Sequence, residues 1–125
     1  ADGRGDPCDV ERIDIKPGSD ENPINPDAKG VIPVATLGNE FVDVQNIEFD
    51  SLRFGPAGAP PVHRKGHYED VNGDGYVDLV THHRTQETGI AHGDTEACME
   101  GLIAGTPFVA CDTIRTVPPK GGPKK

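Results

Sequence analysis

Glycine and proline interrupt this 125-residue chain so often that few stretches remain for a helix of three turns: there are sixteen Gly and twelve Pro. The segments between them read as short strands. Val10 to Lys16 alternates, with Ile13 and Ile15 on one side and Arg12, Asp14 and Lys16 on the other, and Pro17-Gly18 stops it. Val31 to Leu37 is a second, apolar strand, where Pro33 suggests an edge position or a bulge. Glu40 to Val44 and Ile47 to Phe54 read as strands, and Gly55 to Pro61 as a break. Val77 to Arg84 places Val77, Leu79, Thr81 and His83 on one face. Ala97 to Ile103 and Phe108 to Val117 close the series, while 19–30 and 89–95 read as loops. About seven or eight short strands with frequent turns predict an all-β domain, an antiparallel β-sandwich of jelly-roll or immunoglobulin-like kind. The predicted organisation is an arm over 1–9, one domain over 10–117 and a basic Pro/Gly/Lys tail over 118–125.

Such a domain would have a thin core. Only 34% of residues are hydrophobic, with no Trp, two Tyr and four Phe. The net charge of −9 disfavours nucleic acid, which needs a basic surface, and suits bound cations. No apolar run approaches the roughly 20 residues that span a bilayer. The start at Ala1, with Met99 the only Met, fits a mature chain left after signal cleavage, so a secreted, extracellular location is expected. Three Cys point the same way. Cys98 and Cys111 flank a turn-rich stretch, and a disulfide between them would close about 14 residues and contribute about 3 kcal/mol. Cys8 is then left over, either free or available to cross-link another chain.

The densest chemistry lies in Asp70-Val71-Asn72-Gly73-Asp74-Gly75-Tyr76-Val77-Asp78, with oxygen side chains at loop positions 1, 3, 5 and 9. Ca2+ takes six to eight oxygens at about 2.3–2.6 Å, and closely spaced carboxylates supply them from one tight turn. Gly75 permits the bend, Tyr76 would offer its backbone carbonyl, and Asp78 would supply a bidentate carboxylate. Glu69, Asp43 and Asp20 are candidates to complete the shell. Thr81 stands at position 12, where an EF-hand uses Glu, and a β-branched strand follows instead of a helix. The loop resembles those of integrin-type FG-GAP repeats and thrombospondin type 3 repeats, which bind calcium through the residues matching Asp70, Asn72, Asp74, Tyr76 and Asp78.

A longer resemblance spans roughly 10–117. IDIKPGSDENPINPDAKGVIPVATLG, LRFGP, HYEDVNGDGYVDLV, RTQETGI and GDTEAC are similar to a secreted prokaryotic module found appended to large extracellular proteins. The resemblance implies an exported, calcium-stabilised β-sandwich with Cys98 and Cys111 paired and without catalytic residues. The chain departs from the pattern at His82-His83, where one apolar aromatic is expected at the second position, and it is expected to be the module alone.

The remaining candidates are weaker. His63, His67, His82, His83 and His92 show no ligand spacing of a known type and read as scattered, with His82 and His83 on opposite strand faces. Ser19 and Ser51 are the only serines and neither sits in a nucleophile elbow, so no enzyme is expected. Arg4-Gly5-Asp6 is a short match of the kind chance supplies. The expected function is a non-enzymatic extracellular structural subunit that self-assembles into a homopolymer (a filament, tube or surface layer). Its edges would accept strands, and its arm would reach a neighbour where Cys8 could lock the contact. The alternative is a calcium-dependent carbohydrate-binding or adhesion module for surface polysaccharide. Against it, only Tyr68 and Tyr76 offer exposed rings, because Phe41, Phe49, Phe54 and Phe108 fall on core positions.

Overall fold

The computed structural model describes residues 12–17, 22–40, 42–62 and 66–117; the arm, Cys8, Asp20, Phe41, His63 and the C-terminal tail lie outside them. The strands β1 (Ile13–Ile15), β3 (Val31–Thr36), β6 (Asp78–Arg84) and β5 (His67–Glu69) pair into an antiparallel sheet of order β1-β3-β6-β5. Its register sets Ile15 against Val34, Val34 against Thr81 and Ile32 against His83. A second antiparallel sheet has the order β4-β7-β8, from Arg53–Phe54, Glu96–Ile103 and Thr106–Thr113. The inner faces meet in one core: Ile13, Ile15, Ile32, Val34 and Leu79 from the first sheet pack with Phe54, Ala97, Met99, Ile103, Phe108 and Ala110 from the second. The protein is therefore an all-β sandwich. Among the described residues, no helix is long and apolar enough to cross a membrane.

The sheets are held together by polar contacts as well. Asp112 Oδ2 on β8 accepts from the Ile15 N–H and the Asn22 Nδ2 amide, both at 3.0 Å, and so ties β1 and the approach to β2 (Pro23–Ile24) to the second sheet. The β7–β8 hairpin turns through Ala104 and Gly105, whose φ angles of 50° and 83° are the pair that a two-residue hairpin turn matched to strand twist requires. Cys98 and Cys111 face each other across this hairpin and are disulfide-bonded, on the face opposite to the inward-pointing Met99 and Ala110.

Several expected strands are different. The described residues of the expected strand from Glu40 to Val44 form no strand: Asn39 and Val42 form one bridge, and Val44–Asn46 is a 3-10 turn that Asp43 caps by accepting the Gln45 N–H at 2.9 Å. Ile47 to Phe54 is likewise interrupted by a 3-10 turn (Phe49–Ser51), leaving an isolated bridge from Ile47 to Ile103 and the short strand β4. Asp43 and Ser51 offer the backbone local hydrogen bonds that compete with a ladder. Phe108 to Val117 breaks at Ile114, and β9 (Arg115–Thr116) leaves the second sheet to pair in parallel with β2. The architecture is thus antiparallel apart from this short parallel pair. β5 was not expected because all three of its residues are exposed and carry no apolar alternation.

The expected face of β6 is present, with Leu79, Thr81 and His83 buried inward and Val77 packed against the core. His83 is fully buried on this inward face. Its ring lies 5.5 Å from that of Phe54, centroid to centroid. The Ala59 carbonyl can only accept, so Nδ1–H donates to it at 2.9 Å, and Nε2 accepts from the Thr81 hydroxyl at 2.8 Å. A neutral imidazole satisfies every polar atom in this setting. Burial lowers its pKa from 6.5 to about 4, against the raising effect of the Ala59 carbonyl.

Candidate metal centre

The Asp70–Asp78 loop connects β5 to β6, two neighbouring antiparallel strands whose last pair is Glu69 with Asp78. It is therefore a hairpin connection. Asp70 organises its first half: Oδ1 accepts the N–H groups of Gly73 (2.9 Å) and Asp74 (3.2 Å), and Oδ2 accepts that of Gly75 (2.8 Å). Asn72 Oδ1 faces the Asp74 N–H at 3.4 Å, and Asp74 Oδ1 accepts the Tyr76 N–H at 2.9 Å. Gly73 and Gly75 have φ angles of 73° and 90°, which side chains rarely adopt, so both bends depend on glycine.

The second half is anchored to the sheet. Asp78 is fully buried; its Oδ1 accepts the Gly38 N–H at 2.8 Å and its Oδ2 the Val71 N–H at 3.0 Å. Val71 then packs over Ala35, Leu37 and Val80 on the outer face of the four-stranded sheet. The approach is close enough that a Cβ on Gly38 would stand 2.4 Å from the Val77 carbonyl oxygen, so the turn after β3 requires glycine there.

Carboxylate oxygens of Asp70, Asp74 and Asp78 lie within 4.8 Å of one another. Oxygens on one Ca2+ at about 2.3–2.6 Å stand at most about 5 Å apart, so all three fit a single coordination sphere. Each Asp78 oxygen spends one lone pair on a backbone N–H and keeps another. The charges show what an ion would relieve. Desolvation by burial raises the Asp78 pKa, and the charges of Asp74 and Asp70 raise it further, whereas the Gly75 N–H leads the contacts that lower that of Asp70. A cleft of about 260 Å³ opens beside the loop, lined by Arg12, Leu37, Gly38, Asn39, Asn72 and Asp74, giving room for water on the remaining positions.

The suggested additional ligands are otherwise engaged: Asp43 caps its 3-10 turn, and Glu69 Oε1 is 3.0 Å from His67 Nε2. Asp20 and Cys8 lie outside the described residues. Ser51 makes structural hydrogen bonds to the Glu48 carbonyl and the Leu102 N–H. Sequence spacing missed the hydrogen bond of His83 to the Ala59 carbonyl and the sheet-bridging Asp112, since both depend on segments far apart in the chain.

Together these features define a class: an all-β sandwich domain with a disulfide-bonded hairpin and an acidic, glycine-bent loop on a second hairpin. Comparison with protein-family models, curated proteins and solved structures found no match to the chain.

Proposed function

We propose that this chain is a non-enzymatic extracellular structural domain, stapled by Ca2+ at Asp70, Asn72, Asp74, Tyr76 and Asp78, whose copies assemble into a filament, tube or surface layer. The observation that carries the reading is the cluster of three carboxylates within 4.8 Å, one of them buried and held by two N–H groups. Burying an uncompensated carboxylate beside two others is unfavourable, and a hard divalent cation removes the penalty. The loop joins adjacent strands, so the ion acts as a static staple; an EF-hand sensor would have helices to swing. Assembly is supported by β8, which ends the order β4-β7-β8 and exposes 61% of Val109. The arm and Cys8 would supply the reach and the cross-link to a neighbouring copy.

Electron microscopy of the full chain in Ca2+, in chelator and in reductant tests this reading. Ordered polymers that dissolve on chelation are expected. A monomer that stays monomeric in Ca2+ at millimolar protein would sink the assembly claim. The alternative, a carbohydrate-binding or adhesion module, draws on the exposure of Tyr68 (48%) and Tyr76 (41%). Retardation of that monomer in polysaccharide gels, lost in Tyr68→Ala or Tyr76→Ala, would favour it.

A further inference from the structure

The outer face of the four-stranded sheet holds a second group of metal-binding side chains, at a different place from the acidic loop. His67 and Glu69 are two residues apart on β5 and so project from the same face. In the β5–β6 register His67 pairs with Val80, which makes His82 its diagonal neighbour on that face, within reach of a long or aromatic side chain. The rings of His67 and His82 lie 6.5 Å apart, centroid to centroid, and are inclined by 32°. His67 Nε2 lies 3.0 Å from Glu69 Oε1.

From this geometry we infer that His67, Glu69 and His82 form a site for a borderline transition ion, Zn2+ in the first instance, on the outer face of β5 and β6. Two imidazoles and one carboxylate are a donor set that open Zn2+ sites use. With metal–ligand bonds of about 2.0–2.2 Å, two donors on one tetrahedral ion stand about 3.3 Å apart, close to the observed N···O separation. The rings of two imidazoles on one such ion lie about 5 Å apart, so the His67 and His82 rings must close by about 1.5 Å to complete the set. The hydrogen bond between Nε2 and Oε1 holds the imidazole proton on Nε2; when the ion takes its place, that proton moves to Nδ1, so neutral His67 binds as the other tautomer with no net proton lost. The side chains of His67 and Glu69 are 56% and 55% exposed, so the ion enters without rearrangement of the core. Three protein donors leave a fourth position open to water or to a donor from a second copy. The oxygen-only acidic loop and this nitrogen-bearing site then differ in the metals they select.

The test is a Zn2+ titration of the full chain against a chromophoric chelator, in saturating Ca2+ and again without it. One saturable site is expected in both conditions. Replacing a ligand's supporting partner typically costs about 10–100-fold in affinity, so His67→Ala or His82→Gln should weaken Zn2+ by at least about tenfold. Glu69→Gln should weaken it several-fold and His92→Ala should leave it unchanged. Melting curves in Ca2+ show that each variant folds, and exposed His67 keeps the test usable if His82→Gln does not. No saturable binding in the parent protein would overturn the inference. So would binding that survives the His67→Ala/His82→Gln pair, or that vanishes in Asp74→Ala instead. Failure of Ca2+ binding at the acidic loop would leave this result standing.

Discussion

His83 should make this domain lose stability in mild acid. Its folded-state pKa, lowered by burial to about 4, lies below the ordinary value of 6.5 that it regains on unfolding. Between these values the unfolded chain holds the extra proton, so stability present above pH 6.5 is lost as the pH falls towards 4. Each unit of displacement is worth about 1.4 kcal/mol, giving about 3 kcal/mol over the whole window and about 2 kcal/mol between pH 7.5 and 5.0. That interval lies above the ordinary carboxylate range, so most Asp and Glu residues stay ionised. The assay is the urea midpoint at the two pH values for the parent protein and for His83→Phe. Phenylalanine keeps the ring packed on Phe54 but removes both hydrogen bonds. The Ala59 carbonyl still accepts the Phe54 N–H at 2.9 Å, so the main loss is the acceptor of the Thr81 hydroxyl, about 1–2 kcal/mol. The variant should therefore be the weaker protein at pH 7.5 and equal or exceed the parent near pH 5.0. A parent midpoint unchanged down to pH 5.0, or a parallel fall in His83→Phe, would refute the assignment of a neutral buried imidazole.

Three further outcomes are expected. Asp74→Ala should lower the melting temperature by about 10 °C at a Ca2+ concentration 100 times the dissociation constant, since such a ligand adds about 2.7 kcal/mol; scanning calorimetry with and without chelator measures it, and equal melting in the two proteins would remove the ion. The Thr36 hydroxyl is buried without a hydrogen-bond partner among the described residues, so Thr36→Val, of the same shape, should raise stability by about 1 kcal/mol in urea unfolding. Ala104 carries a positive φ in the β7–β8 turn, so Ala104→Gly should gain about 0.5–1 kcal/mol, read by the same method.

Some of this molecule was written locally in the chain. The all-β class followed from glycine and proline spacing, and the inward face of β6 followed from alternation at Leu79, Thr81 and His83, because both signals repeat over a few neighbouring residues. The acidic loop was legible for the same reason: Asp70, Asn72, Asp74 and Asp78 sit within one turn of backbone, and Gly73 and Gly75 mark where it must bend. The pairing of Cys98 with Cys111 was expected from spacing and resemblance, and the hairpin register sets the two face to face.

The tertiary structure decided what depends on contacts between distant segments. Asp43 and Ser51 turned expected strands into 3-10 turns, because their side chains offered bonds that no neighbouring strand outbid. β5 exists only because β6 pairs with it, since its own three residues bury nothing. Asp78 became a buried anchor only when Gly38, forty residues earlier, and Val71 presented their N–H groups. His67 and His82 look scattered at fifteen residues apart, yet a strand register places them diagonally on one face. Local pattern specifies backbone conformation; which side chains share a site is set by strand pairing, which joins residues that no spacing rule relates.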